Sequence, residues 1–183
     1  MKSKWKRICV SASLIALSTV LSFIKVWQMP LGGSVTLLSM LPVCLIAVFY
    51  GTPYAIAPCL LYGVIQIFLG SVFSWGLSAK VLVAAIFLDY VVPYGFMCLS
   101  GLFRKYRFGA IYGVALACFA RFCCHFVSGI VLWESFDVFN NPWIYSLVYN
   151  GAYMLPDMIL CLIIGAVLFK PLGKYIRGED LKF

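Results

Sequence analysis

Six apolar runs, nearly free of charge and each close to bilayer length, constrain this chain more than any other feature. They cover residues 8–24, 35–50, 54–69, 81–103, 108–133 and 143–169. A crossing takes about 20 consecutive apolar residues of α-helix, which in hydrocarbon satisfies its backbone polar groups internally. Water is excluded as the solvent of the fold: 11% of the 183 residues are charged and 64% are hydrophobic. A soluble domain has about 25% charged residues with which to cover its surface. The expected fold class is an all-α integral membrane protein, a six-transmembrane-helix bundle forming a single domain over residues 1–183. The second and third runs are short and are parted by Gly51-Thr52-Pro53, a breaker that suits a tight helical hairpin.

The net charge of +8 is distributed by loop. With the N-terminus inside, the inner segments hold Lys2, Lys4, Lys6 and Arg7, then Arg104, Lys105 and Arg107, then Lys170, Lys174, Arg177 and Lys182; the outer loops hold Lys25 and Lys80. Eleven against two is a positive-inside bias that puts both termini in the cytoplasm. It leaves no continuous basic face to follow a phosphate backbone, which excludes nucleic acid as a partner. The basic start followed by an apolar run has the look of a signal peptide. Lys25 and Trp27 follow Leu21 with no small-residue cleavage site, however, so a retained first helix is expected.

All eight cysteines (Cys9, Cys44, Cys59, Cys98, Cys118, Cys123, Cys124 and Cys161) lie in apolar stretches, where Cys acts as a small hydrophobe and no disulfide framework is expected. Cys123 and Cys124 beside His125 lack a second Cys/His cluster, so no metal site is expected. No Walker A, GxGxxG or HExxH pattern occurs, and no cofactor site or means of coupling to ATP is visible.

Ionisable groups within membrane helices are costly and mark functional sites by default. Asp89 on the fourth run, His125 on the fifth and Asn150 on the sixth all fall roughly 10–14 Å below the outer ends of their helices, at about 1.5 Å per residue. A pocket in the outer half of the bundle explains this common level. Arg121 and Asp157 lie deeper, roughly 18–21 Å by the same rise, and are expected to form a structural ion pair fastening the fifth and sixth helices.

His125, Gly129 and Trp133 follow one another every four residues and share a helix face, with Gly129 leaving room between two rings. Tyr145, Tyr149 and Tyr153 repeat the spacing on the sixth helix. A flat cationic ligand suits such surroundings, with Asp89 as its anchor or counter-charge. A lone Tyr or Trp in a helix is more often packing than ligand contact. Trp27, Trp75, Trp133 and Trp143 fall at outer helix ends, where an aromatic belt and an outward-opening site are both open readings. Ala12 and Ala16, with Ser11, Ser18 and Ser22 nearby, form a strip of small residues that allows close helix approach, either within the bundle or to an external membrane partner.

Four segments now carry a family resemblance: Met29-Pro30-Leu31-Gly32-Gly33-Ser34-Val35-Thr36-Leu37 leading to Ser39-Met40-Leu41-Pro42; Leu88-Asp89-Tyr90 running to Ser100-Gly101-Leu102-Phe103; His125-Phe126-Val127-Ser128-Gly129 with Trp133; and Tyr145-Ser146-Leu147-Val148-Tyr149-Asn150-Gly151 with Pro156. On these the sequence resembles the thiamine-binding S-components of energy-coupling factor (ECF) transporters, the ThiT/YuaJ family. The resemblance implies a multi-pass vitamin-capture subunit in the plasma membrane of a prokaryote. Such a subunit takes thiamine from outside and docks on a transmembrane coupling subunit driven by two ATPase subunits. It further implies that Asp89, Tyr90, His125, Trp133, Tyr145 and Asn150 hold the ligand, beside Gly129. Polar contacts from the acid and the Asn would anchor the aminopyrimidine, while aromatic rings stack on the thiazolium. Trp27, Trp75, Ser128 and Tyr149 are further candidates for substrate contact. Ala12 and Ala16 resemble the surface that meets the coupling subunit, and the outer loop around Gly32-Gly33 is expected to be a lid.

An S-component for another vitamin or a thiamine precursor, such as riboflavin or the aminopyrimidine, is the alternative. An intramembrane hydrolase is more remote. Phe126-Val127-Ser128-Gly129 lacks the first glycine of a GxSG motif, and Ser128 lies within one turn of His125 on the same helix, so no catalytic residues are assigned.

Overall fold

The computed structural model describes residues 2–29, 32–133, 138–173 and 176. Pro30 and Leu31 of the outer-loop motif, and Lys174, Arg177 and Lys182 of the last basic segment, lie outside the described residues. Helix α1 (Lys2–Phe23) leads into an antiparallel hairpin of β1 (Lys25–Gln28) and β2 (Ser34–Thr36). Helices α2 (Met40–Tyr50) and α3 (Thr52–Leu69) follow, then a 3₁₀ turn over Val72–Ser74. Helix α4 (Ala79–Gly101), α5 (Gly109–Val131) and α6 (Pro142–Phe169) complete the bundle. Of these, α1, α3, α4, α5 and α6 are long and apolar enough to cross a membrane, whereas α2 has 11 residues.

The helices lie close to the apolar runs, with one correction. The second run does not begin its helix at Val35: Val35 and Thr36 form β2, and α2 starts at Met40. β-Branched Val26, Val35 and Thr36 favour extended backbone, and Gly32, with φ of 94°, supplies the left-handed conformation its turn requires. Register pairs Lys25 with Thr36, Trp27 with Val35 and Gln28 with Ser34, with a bulge between Lys25 and Trp27. Shortened in this way, α2 would span about 16 Å, well under the roughly 30 Å of bilayer hydrocarbon. It avoids lipid by lying inside the bundle, where Val43, Cys44, Ile46, Ala47 and Val48 have no exposed surface.

The core is built around α2. Met40, Val43, Cys44 and Ala47 pack with Ala55, Cys59 and Tyr62 of α3, Met97 of α4, Val114 and Ala117 of α5, and Cys161 of α6. The cysteines are free thiols; six are buried, and Cys9 and Cys123 are exposed. Outward faces are apolar instead of charged: Phe68, Phe119, Leu147, Ile163 and Val167 are all exposed, as expected of surfaces solvated by lipid.

Helix α4 is irregular where it matters. It is α-helical over Ala79–Ala85, π-helical over Ile86–Val91, α-helical over Val92–Gly95 and 3₁₀ over Phe96–Gly101. Pro93 has no N–H to donate to the carbonyl of Asp89 four residues back, and its ring crowds that oxygen, so the backbone widens into a π turn. Asp89 and Tyr90 are carried on that turn. The far end of α4 is drawn tight by small residues: a Cβ on Gly113 of α5 would strike the Ser100 carbonyl, while the Ser100 hydroxyl donates to the Cys44 carbonyl at 2.9 Å.

Gly113 and Gly151 therefore differ in what they tolerate. Gly113→Ala should lower the melting temperature in detergent by roughly 5 °C, because backbone on α4 must move. Gly151→Ala, whose new Cβ would meet only Leu155 Cδ1 at 3.9 Å, should raise it slightly through helix propensity. Thermal unfolding of both variants checks the contrast.

Candidate functional site

Between the hairpin and helices α3 to α6 lies a cavity of about 220 Å³. That is below the roughly 300–1,000 Å³ of drug-sized ligand sites and suits one compact molecule. Asp89 enters it from the π turn of α4. Its Oδ1 lies 3.1 Å from His125 Nδ1, and Trp133 Nε1 donates to its Oδ2 at 3.3 Å. The side chains of His125 and Asp89 are only 11% and 12% exposed. Each carboxylate oxygen has then accepted one protein donor and keeps a lone pair for another.

Rings wall the cavity. Trp75 and Trp133 meet edge to face with centroids 5.1 Å apart. Tyr145 and Tyr149 stack at 5.7 Å, and Tyr149 meets Tyr153 edge-on at 5.8 Å. Tyr90 and Tyr94 of α4 also line it. The tyrosine repeat of the sixth helix thus faces the cavity as a row, including Tyr153.

Asn150 joins the two helices behind this wall. Its Nδ2 donates to the His125 carbonyl at 3.1 Å and to the Ser146 carbonyl at 3.0 Å, and its Oδ1 accepts from Tyr153 Oη at 3.0 Å. The common depth expected for Asp89, His125 and Asn150 becomes a connected chain, in which Asn150 braces the backbone that carries His125. Gly129 borders the cavity, but its missing side chain is used against α6, not to make room between rings. A Cβ there would run into Ser146 Oγ and come within 2.8 Å of Ser146 Cβ.

Three expectations are corrected. Trp27 is 51% exposed on β1 and Ser128 is fully buried outside the cavity lining, so neither reaches the site. Arg121 and Asp157 both line the cavity, yet no direct ion pair joins them among the described residues. Asp157 Oδ1 instead accepts from Thr36 Oγ1 at 3.2 Å, and the Arg121 guanidinium lies over the Tyr94 ring, 5.2 Å from its centroid. The reason is the hairpin, which brings Thr36 to the carboxylate that Arg121 was expected to hold. A second hairpin contact, the Gly33 amide donating to Tyr149 Oη at 3.1 Å, also had no signal in local spacing. Among the described residues, no three His, Cys, Asp or Glu side chains are grouped to hold a metal.

The sequence model of the family described as "Thiamine transporter protein (Thia_YuaJ)" matches residues 8–176. The chain belongs to the Thia_YuaJ family of thiamine transporters. The thiamine transporter ThiT of Bacillus subtilis (strain 168) is 30% identical to this Thia_YuaJ chain over 166 residues, 83% of each protein. The thiamine transporter ThiT of Lacticaseibacillus paracasei is 30% identical over 74 residues, 40% of this chain and 37% of that one. A solved structure of ThiT from Listeria monocytogenes shares the fold, with a TM-score of 0.77 over 94% of this chain and 98% of that one at 23% identity. This Thia_YuaJ member is accordingly a membrane protein of a transporter family, not an enzyme.

Within the site, Asn150 is the residue whose loss should be felt most in the fold. Asn150→Ala strands a buried tyrosine hydroxyl, a cost of about 1–3 kcal/mol. The variant should therefore melt several degrees lower than the parent in a thermal scan, with a smaller change for Tyr153→Phe, which removes the hydroxyl itself.

Proposed function

We propose that this chain is the thiamine-capture S-component of an ECF importer, a multi-pass plasma-membrane subunit with both termini in the cytoplasm. One observation carries the reading: a membrane-embedded carboxylate, Asp89, held by His125 and Trp133 within a ring-walled cavity. Thiamine has the matching chemistry. Its aminopyrimidine offers N–H donors for the free lone pairs of Asp89, and its thiazolium is a flat cation for the faces of Trp133, Trp75 and the tyrosine row. Tyr90, Tyr145 and Tyr149 complete the wall. Riboflavin would gain the stacking but has no cation for the carboxylate to balance.

The hairpin acts as the lid. Gly32 and Gly33 both line the cavity, and a Cβ on Gly32 would come within 3.1 Å of Trp75 while one on Gly33 would come within 2.9 Å of Tyr153. Glycines there let the strand turn lie directly on the rings. Transport itself belongs to partners, a transmembrane coupling subunit and two ATPases. The docking surface is the outward face of α1, where Ala12 and Ala16 are exposed while Ser11, Ile15 and Ser18 are buried against the bundle.

Titration of the detergent-solubilised protein with thiamine should quench tryptophan fluorescence saturably, with pyrithiamine competing and riboflavin failing to compete. Asp89→Asn should weaken thiamine binding about 10- to 100-fold, the effect of losing one charge-assisted hydrogen bond. Unchanged affinity would remove Asp89 from the site. Replacing Ala12 and Ala16 by Leu should leave that titration unchanged but abolish thiamine uptake in cells that supply the coupling subunits, and normal uptake would sink the docking assignment.

A further inference from the structure

The end of the bundle that carries the N-terminus holds a polar cluster that the cavity does not use. It is centred on the tight turn between α2 and α3, where Gly51 has φ of 90°. Arg104, just beyond α4, reaches this turn, and its Nη1 donates to the Phe49 carbonyl at 2.6 Å. That contact satisfies one of the carbonyls left free at the end of α2 and uses one of five guanidinium N–H donors. From α1, Arg7 lies over the Tyr50 ring, its guanidinium carbon 5.8 Å from the centroid, and its Nε is buried with no acceptor. Thr52, which opens α3, also buries its Oγ1 without a partner.

Two guanidinium groups and an unpartnered hydroxyl thus flank one turn. Burial and the neighbouring charge of Arg7 pull the Arg104 guanidinium below its ordinary value, as expected of two like charges sharing a site. The described acids, Asp89 and Asp157, both line the cavity, so among the described residues no carboxylate balances the pair. Two guanidinium charges held side by side repel one another, and an acceptor-rich anion offsets that cost. The surroundings say where the anion comes from. Trp5, 65% exposed, precedes Arg7 and Ile8, 51% exposed, follows it on α1, the aromatic-to-aliphatic order expected where a membrane helix passes from the interface toward the acyl chains.

We propose that Arg7 and Arg104 form a binding site for the phosphate of an anionic phospholipid on the membrane face that carries the N-terminus. The planar forks of two arginines match phosphate oxygens. Because the groups come from α1, the α2–α3 turn and the end of α4, one bound lipid ties the first helix to the rest of the bundle.

The test uses the full chain in neutral detergent, with phosphatidylglycerol, phosphatidylcholine of the same acyl chains, and inorganic phosphate as separate additives. Phosphatidylglycerol should raise the melting temperature by roughly 5 °C at saturation while phosphatidylcholine does not. Native mass spectrometry should show one retained phosphatidylglycerol, lost in Arg7→Gln. Arg7 is the residue of choice because Arg104 also caps α2, and Arg7→Lys, which keeps the charge without the fork, should retain the lipid weakly. Far-UV circular dichroism and elution volume confirm that each variant is folded. The absence of a phosphatidylglycerol-specific shift in the parent protein overturns the proposal, as does an equal shift in Arg7→Gln. Inorganic phosphate reproducing the whole shift overturns the lipid assignment in favour of a soluble anion.

Discussion

A carboxylate at membrane depth is the constraint on which the rest of this structure depends. Placing Asp near the centre of a lone helix in lipid costs about 2.5–3.5 kcal/mol, so Asp89 is stable only where other elements bring it partners. Those partners, His125 and Trp133, come from α5 and its C-terminal extension, and the π turn before Pro93 sets where on α4 the carboxylate emerges. His125 is in turn located by its own backbone, whose carbonyl accepts from Asn150 of α6, and Asn150 accepts from Tyr153. The line from α4 to α6 is continuous. It reaches the hairpin as well, because a Cβ on Gly33 would touch Tyr153 and the Gly33 amide donates to Tyr149. The charge that defines the cavity therefore also organises the three helices and the strand turn around it.

Much of this is legible in the amino-acid sequence, and the parts that are not have a common cause. Helix positions can be read because lipid demands length and apolarity, which are local properties. The common level of Asp89, His125 and Asn150 can be read because an α-helix rises by a fixed increment. Residues 35 and 36 are misread because a short apolar run has no periodicity that separates a buried strand from the first turn of a helix. Asp157 is misread for a different reason. Its hydrogen-bond partner Thr36 is 121 positions away, on a strand that no local pattern announces, whereas Arg121 stands at a matching depth on the neighbouring helix. Gly129 shows the same limit from the other side: the spacing places it on the site face, but only the approach of Ser146 shows which neighbour its missing side chain accommodates.

The hairpin has little of its own to hold it in place. Two short strands are marginal on their own, and β1 is exposed along its whole length, so little of its stability comes from burial of its own side chains. What holds it down are Thr36 on Asp157 and Gly33 on Tyr149, both made by residues that line the cavity. Its stability is borrowed from the site it covers. A molecule that fills the cavity must therefore either leave those two contacts in place and add to them, or displace them and free the strand turn. In both cases occupancy of the cavity and position of the hairpin are linked by shared residues, which is the property a lid needs and which no feature of the strands alone supplies.

Helix α1 separates what must not interfere. Its buried stripe, Ser11, Ile15 and Ser18, faces the bundle, and Ser22 and Phe23 at its far end reach the cavity lining, while Ala12 and Ala16 face outward. Small residues on an outward stripe give up the dispersion contacts that larger side chains would make with acyl chains, and they leave room for the close helix approach that the proposed docking requires. The same helix carries Arg7 near its start, beside the α2–α3 turn, and ends at the cavity rim. A partner docked on the middle of α1, as proposed above, would hold an element with one end beside Arg7 and the other at the cavity. In this arrangement docking and binding can communicate through the tilt of a single rigid helix, without any change in the residues that touch the ligand.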